Sequence, residues 1–173
     1  DRRARLPGRY DRGVLPVSAI ISFQAADGQH TALSNFYPSP LKQDYWDGFT
    51  AETLFFPTVE HFFQAQKTTH LDEQQRVAQA ATPGLARRIG RSVTLRPDWE
   101  AVKLNVMRSA IDAKFSLNDP LSDTLLATED LYLVEGNTWG DRFWGQVNGQ
   151  GLNWLGVILM ARRAELRYQR ELL

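Results

Sequence analysis

The chain of 173 residues has no cysteine. Disulfides, thiolate metal sites and thiol nucleophiles are therefore excluded. It also lacks any excess of one charge, with 20 Lys and Arg against 20 Asp and Glu. Bulk attraction to a polyanion is not its organising principle, which leaves room only for local basic patches. Long apolar runs are missing too. The longest, VLPVSAIISF, is too short to span a bilayer and is interrupted by Pro16. No small-residue cleavage site follows it, so no membrane association is expected. His30, His61 and His70 have no ligand spacing to one another, and no metal site is expected. There is no phosphate-binding glycine loop, no dinucleotide fingerprint and no nucleophile elbow. No cofactor is implied, and the set of absences fits a cytoplasmic protein.

What is present is ordinary globular composition, 43% hydrophobic and 23% charged, enough for one domain with a real core. Asp1 stands where an initiator Met would, so the sequence reads as a piece of a longer protein. Residues 1–17, rich in Arg and Gly, read as a flexible basic arm before a domain over 18–173. A strand is expected over 19–23, with a turn at Asp27-Gly28. LSNFYPSP (33–40) reads as a loop, and 41–56 as one or two short strands around Asp47-Gly48.

Helix signals then dominate. Thr58 is a plausible cap for a helix through about Thr69. A second helix is expected over 72–80. Thr82-Pro83 opens a short helix that Gly90 stops. Pro97-Asp98 opens a long one with Val102, Met107, Ala110, Ile111 and Phe115 on one face, and Asp119-Pro120 opens another. LYLVEG (131–136) is strand-like, NTWGDRFWGQVNGQG is an aromatic glycine-rich loop, and Asn153 is placed to cap the last helix. The expected fold is α+β: a compact, mainly helical single domain with a small sheet.

One stretch stands out. FFPTVEHFFQAQK (55–67) sets Glu60, His61, Gln64 and Lys67 among four phenylalanines. On a helix at about 100° per residue, these polar residues share one arc with Thr68, and Val59, Phe62, Phe63 and Ala65 share the other. The simplest reading is an amphipathic helix with a solvated polar face. Against it stand the apolar entry Leu54-Phe55-Phe56 and the polar-aromatic loops around Asn35 and between Trp139 and Trp144, which are common walls of a site.

LSNFY, PTVEHFFQAQK, ARRIGR with Asp98-Trp99, Lys114-Phe115, LVE (133–135), Trp144-Gly145 and GLNWLGVILMARR follow one another over residues 20–167. In this order they resemble the NADAR (YbiA-like) family. Two departures are visible: Val147 replaces a glycine in WGQVNGQG, and the segment between Leu41 and Phe56 is long. The resemblance implies hydrolysis of an N-glycosidic bond to ribose. Two substrate classes go with the family: ADP-ribose on guanine in nucleic acid, and the phosphoribosylamino-pyrimidine intermediates of riboflavin synthesis. The first is the preferred expectation, since the basic arm and the Arg cluster could approach a phosphate backbone. It would bring an ADP-ribosylated nucleic acid, or an ADP-ribose-type ligand, and a fused or operon-linked ADP-ribosyltransferase as partners.

Cleaving a ribosyl C1–N bond requires protonation of the leaving nitrogen, stabilisation of a cationic sugar, and a nucleophile at C1. Glu60 is the first choice for acid/base work. Lys67 either holds Glu60 or a phosphate, or attacks the open-chain sugar aldehyde as a Schiff-base nucleophile. Glu135 and Asp141 match the family's acidic positions. Asp141 could orient water or ribose hydroxyls, or simply close a turn after Gly140. Substrate-binding candidates are Asn35, Phe36, His61, Gln64, Arg88, Arg91, Trp99, Trp139, Trp144, Gly145 and Asn153. Asn35 could equally be a turn cap, and the tryptophans and Phe143 could be core. Arg87, Arg88 and Arg91, with Arg96 nearby, suit a diphosphate or form a solvated surface. Arg162 and Arg163 match a basic position of the family. Two other classes stay open: a module that binds ADP-ribose or NAD without cleaving it, and a purely structural interaction domain.

Overall fold

The computed structural model describes residues 20–23, 30–46 and 48–173. The expected arm, the Asp27-Gly28 turn, Ala19 and Asp47 lie outside the described residues. Strand β1 (Ile20–Phe23) is followed by a 3-10 turn at Thr31–Leu33 and the hairpin β2 (Leu41–Trp46) and β3 (Ala51–Phe56). Helices α1 (Val59–Ala65), α2 (Leu71–Ala78), α3 (Pro83–Ile89), α4 (Trp99–Lys114) and α5 (Pro120–Leu126) come next. Strand β4 (Tyr132–Glu135) and helix α6 (Trp154–Glu171) complete the order. Among the described residues no helix is long and apolar enough to cross a membrane.

The small sheet resolves into two pairs. β2 and β3 are antiparallel, with Leu41 opposite Phe56 and Trp46 opposite Ala51. Gly48 turns the hairpin at φ 98°, a region glycine enters without strain. Strand alternation buries Leu54 and Phe56 and turns Phe55 outward at 67% exposure. β1 and β4 pair in parallel, Ile20 with Tyr132 and Phe23 with Glu135, although residues 24–131 lie between them in sequence.

Local chemistry starts the helices. Thr58, Thr82 and Asp119 accept backbone N–H groups of the first turns of α1, α3 and α5, and Pro83 and Pro120 occupy first-turn positions that need no donor. α1 is shorter than the sequence suggests. After Ala65 the chain leaves in tight turns, Lys67 N to Gln64 O and Thr68 N to Ala65 O, both 3.3 Å, and Arg96 N then takes the Lys67 carbonyl at 2.7 Å. α6 packs on β4, α4 and α5, and α1 packs on α2, α3 and α4. Met107, Ala110, Ile111, Phe115, Leu155 and Leu159 fill the space between.

The solvated polar face expected of α1 does not exist. Val59, Glu60, His61, Phe63, Gln64 and Ala65 are all buried, so the helix is covered on both arcs. A helix that buries polar residues must find partners for them.

Candidate active site

α1 is pinned at its start. Thr58 Oγ1 accepts from His61 N, and Glu60 N donates to the Asn35 carbonyl at 3.1 Å, which ties the LSNFY loop to the helix. The Glu60 carboxylate is 3% exposed, and its Oε1 accepts from Arg87 Nε and from Gln64 Nε2, each at 2.9 Å. Arg87 reaches it from α3 and stacks on Phe36, 4.8 Å from the ring centroid. α3 can come this close because residue 90 is glycine. A Cβ there would stand 2.2 Å from Gln64 Oε1.

Beside this pair opens a cleft of about 210 Å³. Glu60, Gln64, Lys67, Glu135, Asp141, Asn35 and Arg91 all line it, together with Phe63, Arg87, Met107, Trp139 and Trp144. Three carboxylates from α1, β4 and the following loop thus face three cations from the turn after α1, from α3 and from the turn after α3.

Glu135 ends β4. Its carboxyl group has no hydrogen-bond partner among the described residues, while its backbone N–H is held by Asn153 Oδ1 at 3.0 Å. Burial, reinforced by the charges of Asp141 and Glu60 and opposed by Arg87, pushes it up to about 7. A carboxyl group so placed carries a proton near neutrality and can give it away. Asp141 closes its own turn: Oδ1 accepts from Phe143 N at 3.0 Å and Trp144 N at 2.9 Å. Asn137 clasps the Asp141 backbone from both sides, accepting from its N–H at 3.0 Å and donating to its carbonyl at 2.7 Å. The turn reading and the site reading of Asp141 are therefore compatible.

Lys67 makes no hydrogen bond or ion pair among the described residues. Its Nζ lies 6.0 Å from the centroids of Phe63 and Trp99. Burial holds its ammonium below the usual lysine range; Glu60 opposes this, and Arg91 and Arg87 reinforce it. An amine with a depressed pKa is the form that can act as a nucleophile.

Six sequence candidates do not line the cleft. His61 is 1% exposed, and its ring is spent between Thr58 Oγ1 at 2.8 Å and the Ala80 carbonyl at 3.1 Å. A carbonyl only accepts, so Nε2 carries the proton and Nδ1 accepts from the hydroxyl. Burial lowers the pKa of this imidazole. Asn153 is buried at the start of α6 with φ 54° and does not cap it through its side chain. Its amide instead bridges the β4 backbone at Leu133 O and Glu135 N. Gly145 serves by having no side chain, since a Cβ there would meet the Glu135 carbonyl at 2.2 Å. Trp99 is buried behind the cleft against Phe63, centroids 5.0 Å apart. Phe36 acts as the platform under Arg87. Arg88 is exposed on α3, about 100° round the helix from Arg87. Arg162 and Arg163 are structural too. Arg162 Nε donates to Phe115 O at 3.0 Å, and Arg163 donates to Thr128 Oγ1 at 2.6 Å and Leu131 O at 3.0 Å.

The sequence reading left Asn137 and Met107 out of the site and did not single out Arg87 from its neighbours. Helical phase could have separated Arg87 from Arg88, since Arg87 and Arg91 are one turn apart. Nothing local marks Asn137 or Met107.

The model of the NADAR domain matches residues 22–167. The chain is 42% identical over 156 residues to N-glycosidase YbiA of Shigella flexneri, an alignment covering 87% of this chain and 91% of that one. It is 38% identical to the chloroplastic riboflavin biosynthesis protein PYRR of Zea mays, over 85% of this chain and 25% of that one. The NMR structure of YbiA from Escherichia coli superposes with a TM-score of 0.71 at 38% identity, covering 87% of this chain and 86% of that one. Sequence, fold and the order of the motifs agree, and the chain belongs to the NADAR family.

Proposed function

We propose that this protein is an N-glycosidase that hydrolyses the ribose C1–N bond of a phosphorylated ribosylamine. The observation that carries this reading is the pairing, in one cleft, of a carboxyl group raised to about 7, Glu135, with an unpartnered lysine of lowered pKa, Lys67. Acid/base duty thus moves from Glu60, whose Oε1 is occupied by two donors, to Glu135. Glu135 gives its proton to the leaving nitrogen as the C1–N bond breaks, and the free base departs. Glu60 and Asp141 offset the positive charge that develops on the sugar. Lys67 Nζ bonds to C1 of the cationic sugar and its proton passes to O4 as the C1–O4 bond breaks; the protonated imine that results takes up water, which releases the open-chain sugar, restores the amine and returns a proton to Glu135.

The substrate is best matched by a phosphoribosylamino-pyrimidine. About 210 Å³ lies below the roughly 300–1,000 Å³ usual for larger ligands and suits one sugar phosphate with part of its base. Arg91, on the cleft wall, supplies a cation for a single phosphate. Relatives named for N-glycosidase activity and for riboflavin biosynthesis support the same class. One feature favours the second reading, ADP-ribose on guanine in nucleic acid. Trp139 lines the cleft yet is 56% exposed, and offers a stacking face to a ligand that extends outward. An ADP-ribosyltransferase partner belongs to that reading alone.

The test is to incubate the protein with each riboside and follow release by mass spectrometry, beside Lys67→Ala and Glu135→Gln. Release of a free pyrimidine amine and ribose 5-phosphate, lost in both variants, is the expected result. Release of ADP-ribose from a modified oligonucleotide, falling as salt rises, would move the assignment to the second substrate. No release from either would leave a binding module.

A further inference from the structure

Lys114 is the most deeply buried lysine described, 3% exposed at the end of α4, and the proposed reaction does not use it. Its Nζ donates to the Ser34 carbonyl at 2.7 Å and lies over the rings of Phe115 and Tyr37, at 5.0 and 5.6 Å. Ser34 is the residue before Asn35. The Asn35 carbonyl is taken by Glu60 N. The Asn35 side-chain amide reaches Met107 Sδ at 3.5 Å, also on α4. A thioether sulfur only accepts, so Nδ2 faces Met107 and Oδ1 is turned away from it. Asn35 is 7% exposed and lines the cleft, and its Oδ1 is buried without a hydrogen-bond partner.

A buried carbonyl oxygen left unpaired destabilises the fold and is rare in native structures. Here three separate bonds, two donated by Lys114 and Glu60 to the loop carbonyls and one donated by Asn35 to Met107, keep the loop from turning it elsewhere. We infer that Asn35 Oδ1 is a specificity-determining acceptor that takes a hydrogen-bond donor of the substrate, and that Lys114 is a positioning residue that holds it in place. The donor is a ribose hydroxyl or the N–H at the glycosidic nitrogen. A substrate offering no donor there leaves Oδ1 unpaired and is rejected. The inference rests on the N-glycosidase reading for its substrate but not for its geometry.

The test measures kcat and KM on the phosphoribosylamino-pyrimidine, and binding of ribose 5-phosphate by calorimetry, for Asn35→Ala, Met107→Leu, Lys114→Met and Lys114→Arg. Asn35→Ala is expected to lower kcat/KM about ten-fold or more, the loss of one hydrogen bond. Met107→Leu keeps the volume but frees the amide, and should give a smaller loss of the same kind. Lys114→Met should reproduce the Asn35→Ala pattern, and the double variant should be no worse than either alone. Lys114→Arg, which keeps a donor, should recover part of the activity. Weaker binding of ribose 5-phosphate by Asn35→Ala assigns the donor to a hydroxyl. Unchanged binding with reduced turnover assigns it to the glycosidic N–H. Wild-type kinetics in Asn35→Ala would overturn the acceptor. Additive losses in the double variant, or a lower melting temperature with normal kinetics in Lys114→Met, would overturn the positioning role. Wild-type protein that binds ribose 5-phosphate without hydrolysing either riboside would sink the N-glycosidase reading, and the calorimetric arm would then judge Asn35. If it does neither, both fall.

Discussion

Among the described residues, burial depresses the pKa of two lysines, Lys67 in the turn after α1 and Lys114 at the end of α4, and their surroundings treat them in opposite ways. Lys114 is fully enclosed, but its Nζ has a carbonyl partner and aromatic rings around it. Lys67 is less enclosed, and faces a cleft of carboxyl groups without a bond to any of them. Burial lowers both ammonium pKa values, Lys114 to about 7. Depth of burial therefore does not tell a reactive amine from a structural one. The unspent hydrogen-bonding capacity does.

The largest effect should come from Lys67→Ala. Loss of a covalent nucleophile is expected to cost at least ~10³-fold in kcat. Borohydride added during turnover should trap a lysine-linked sugar on the wild type, and its absence would break the contrast between the two lysines. Next is Glu135→Gln, with a loss of about 10²–10⁴-fold. Since this group must be protonated and sits at about 7, wild-type kcat should fall as pH rises through that value. The variant should lose that limb, which a pH–rate profile would read.

A smaller effect concerns stability. Glu135 binds its proton more tightly folded than unfolded, so its contribution is present below pH 4.5 and is lost as pH rises to about 7. Lys114 binds its proton less tightly when folded, so stability rises with pH from about 7 toward 10.5. Each slope is on the order of a few kcal/mol at most. Melting curves across pH should show the first slope flattened in Glu135→Gln and the second in Lys114→Met. Smallest is the pair on α3. Arg87→Ala should lower kcat/KM about ten-fold by releasing Glu60 from a charged partner. Arg88→Ala should leave it unchanged. Equal losses would mean that the basic cluster acts as a diffuse surface.

Much of this was legible in the sequence where chemistry is local. Thr58, Thr82-Pro83 and Asp119-Pro120 announced their helices because capping is decided within four residues. Lys67, Glu135 and Asp141 could be nominated only through resemblance to a family, since they lie on different elements. What stayed hidden depended on tertiary partners. His61 looked like a site residue until the Ala80 carbonyl arrived from the end of α2. Asn153 looked like a helix cap until β4 claimed its amide. The polar arc of α1 looked solvated because periodicity reports which residues share a face and says nothing about what covers it.

The parallel pairing of β1 with β4 has a consequence for how the chain becomes active. The strand that ends in Glu135 finds its partner across residues 24–131, so the contact is among the most non-local in the fold. Such contacts repay the entropy of closing their loop only late in folding. A nascent or partly refolded chain can already hold α1 and the lysine that follows it while its proton donor is unplaced. Catalytic competence should therefore trail the appearance of helical signal during refolding, and it would report closure of β4 onto β1.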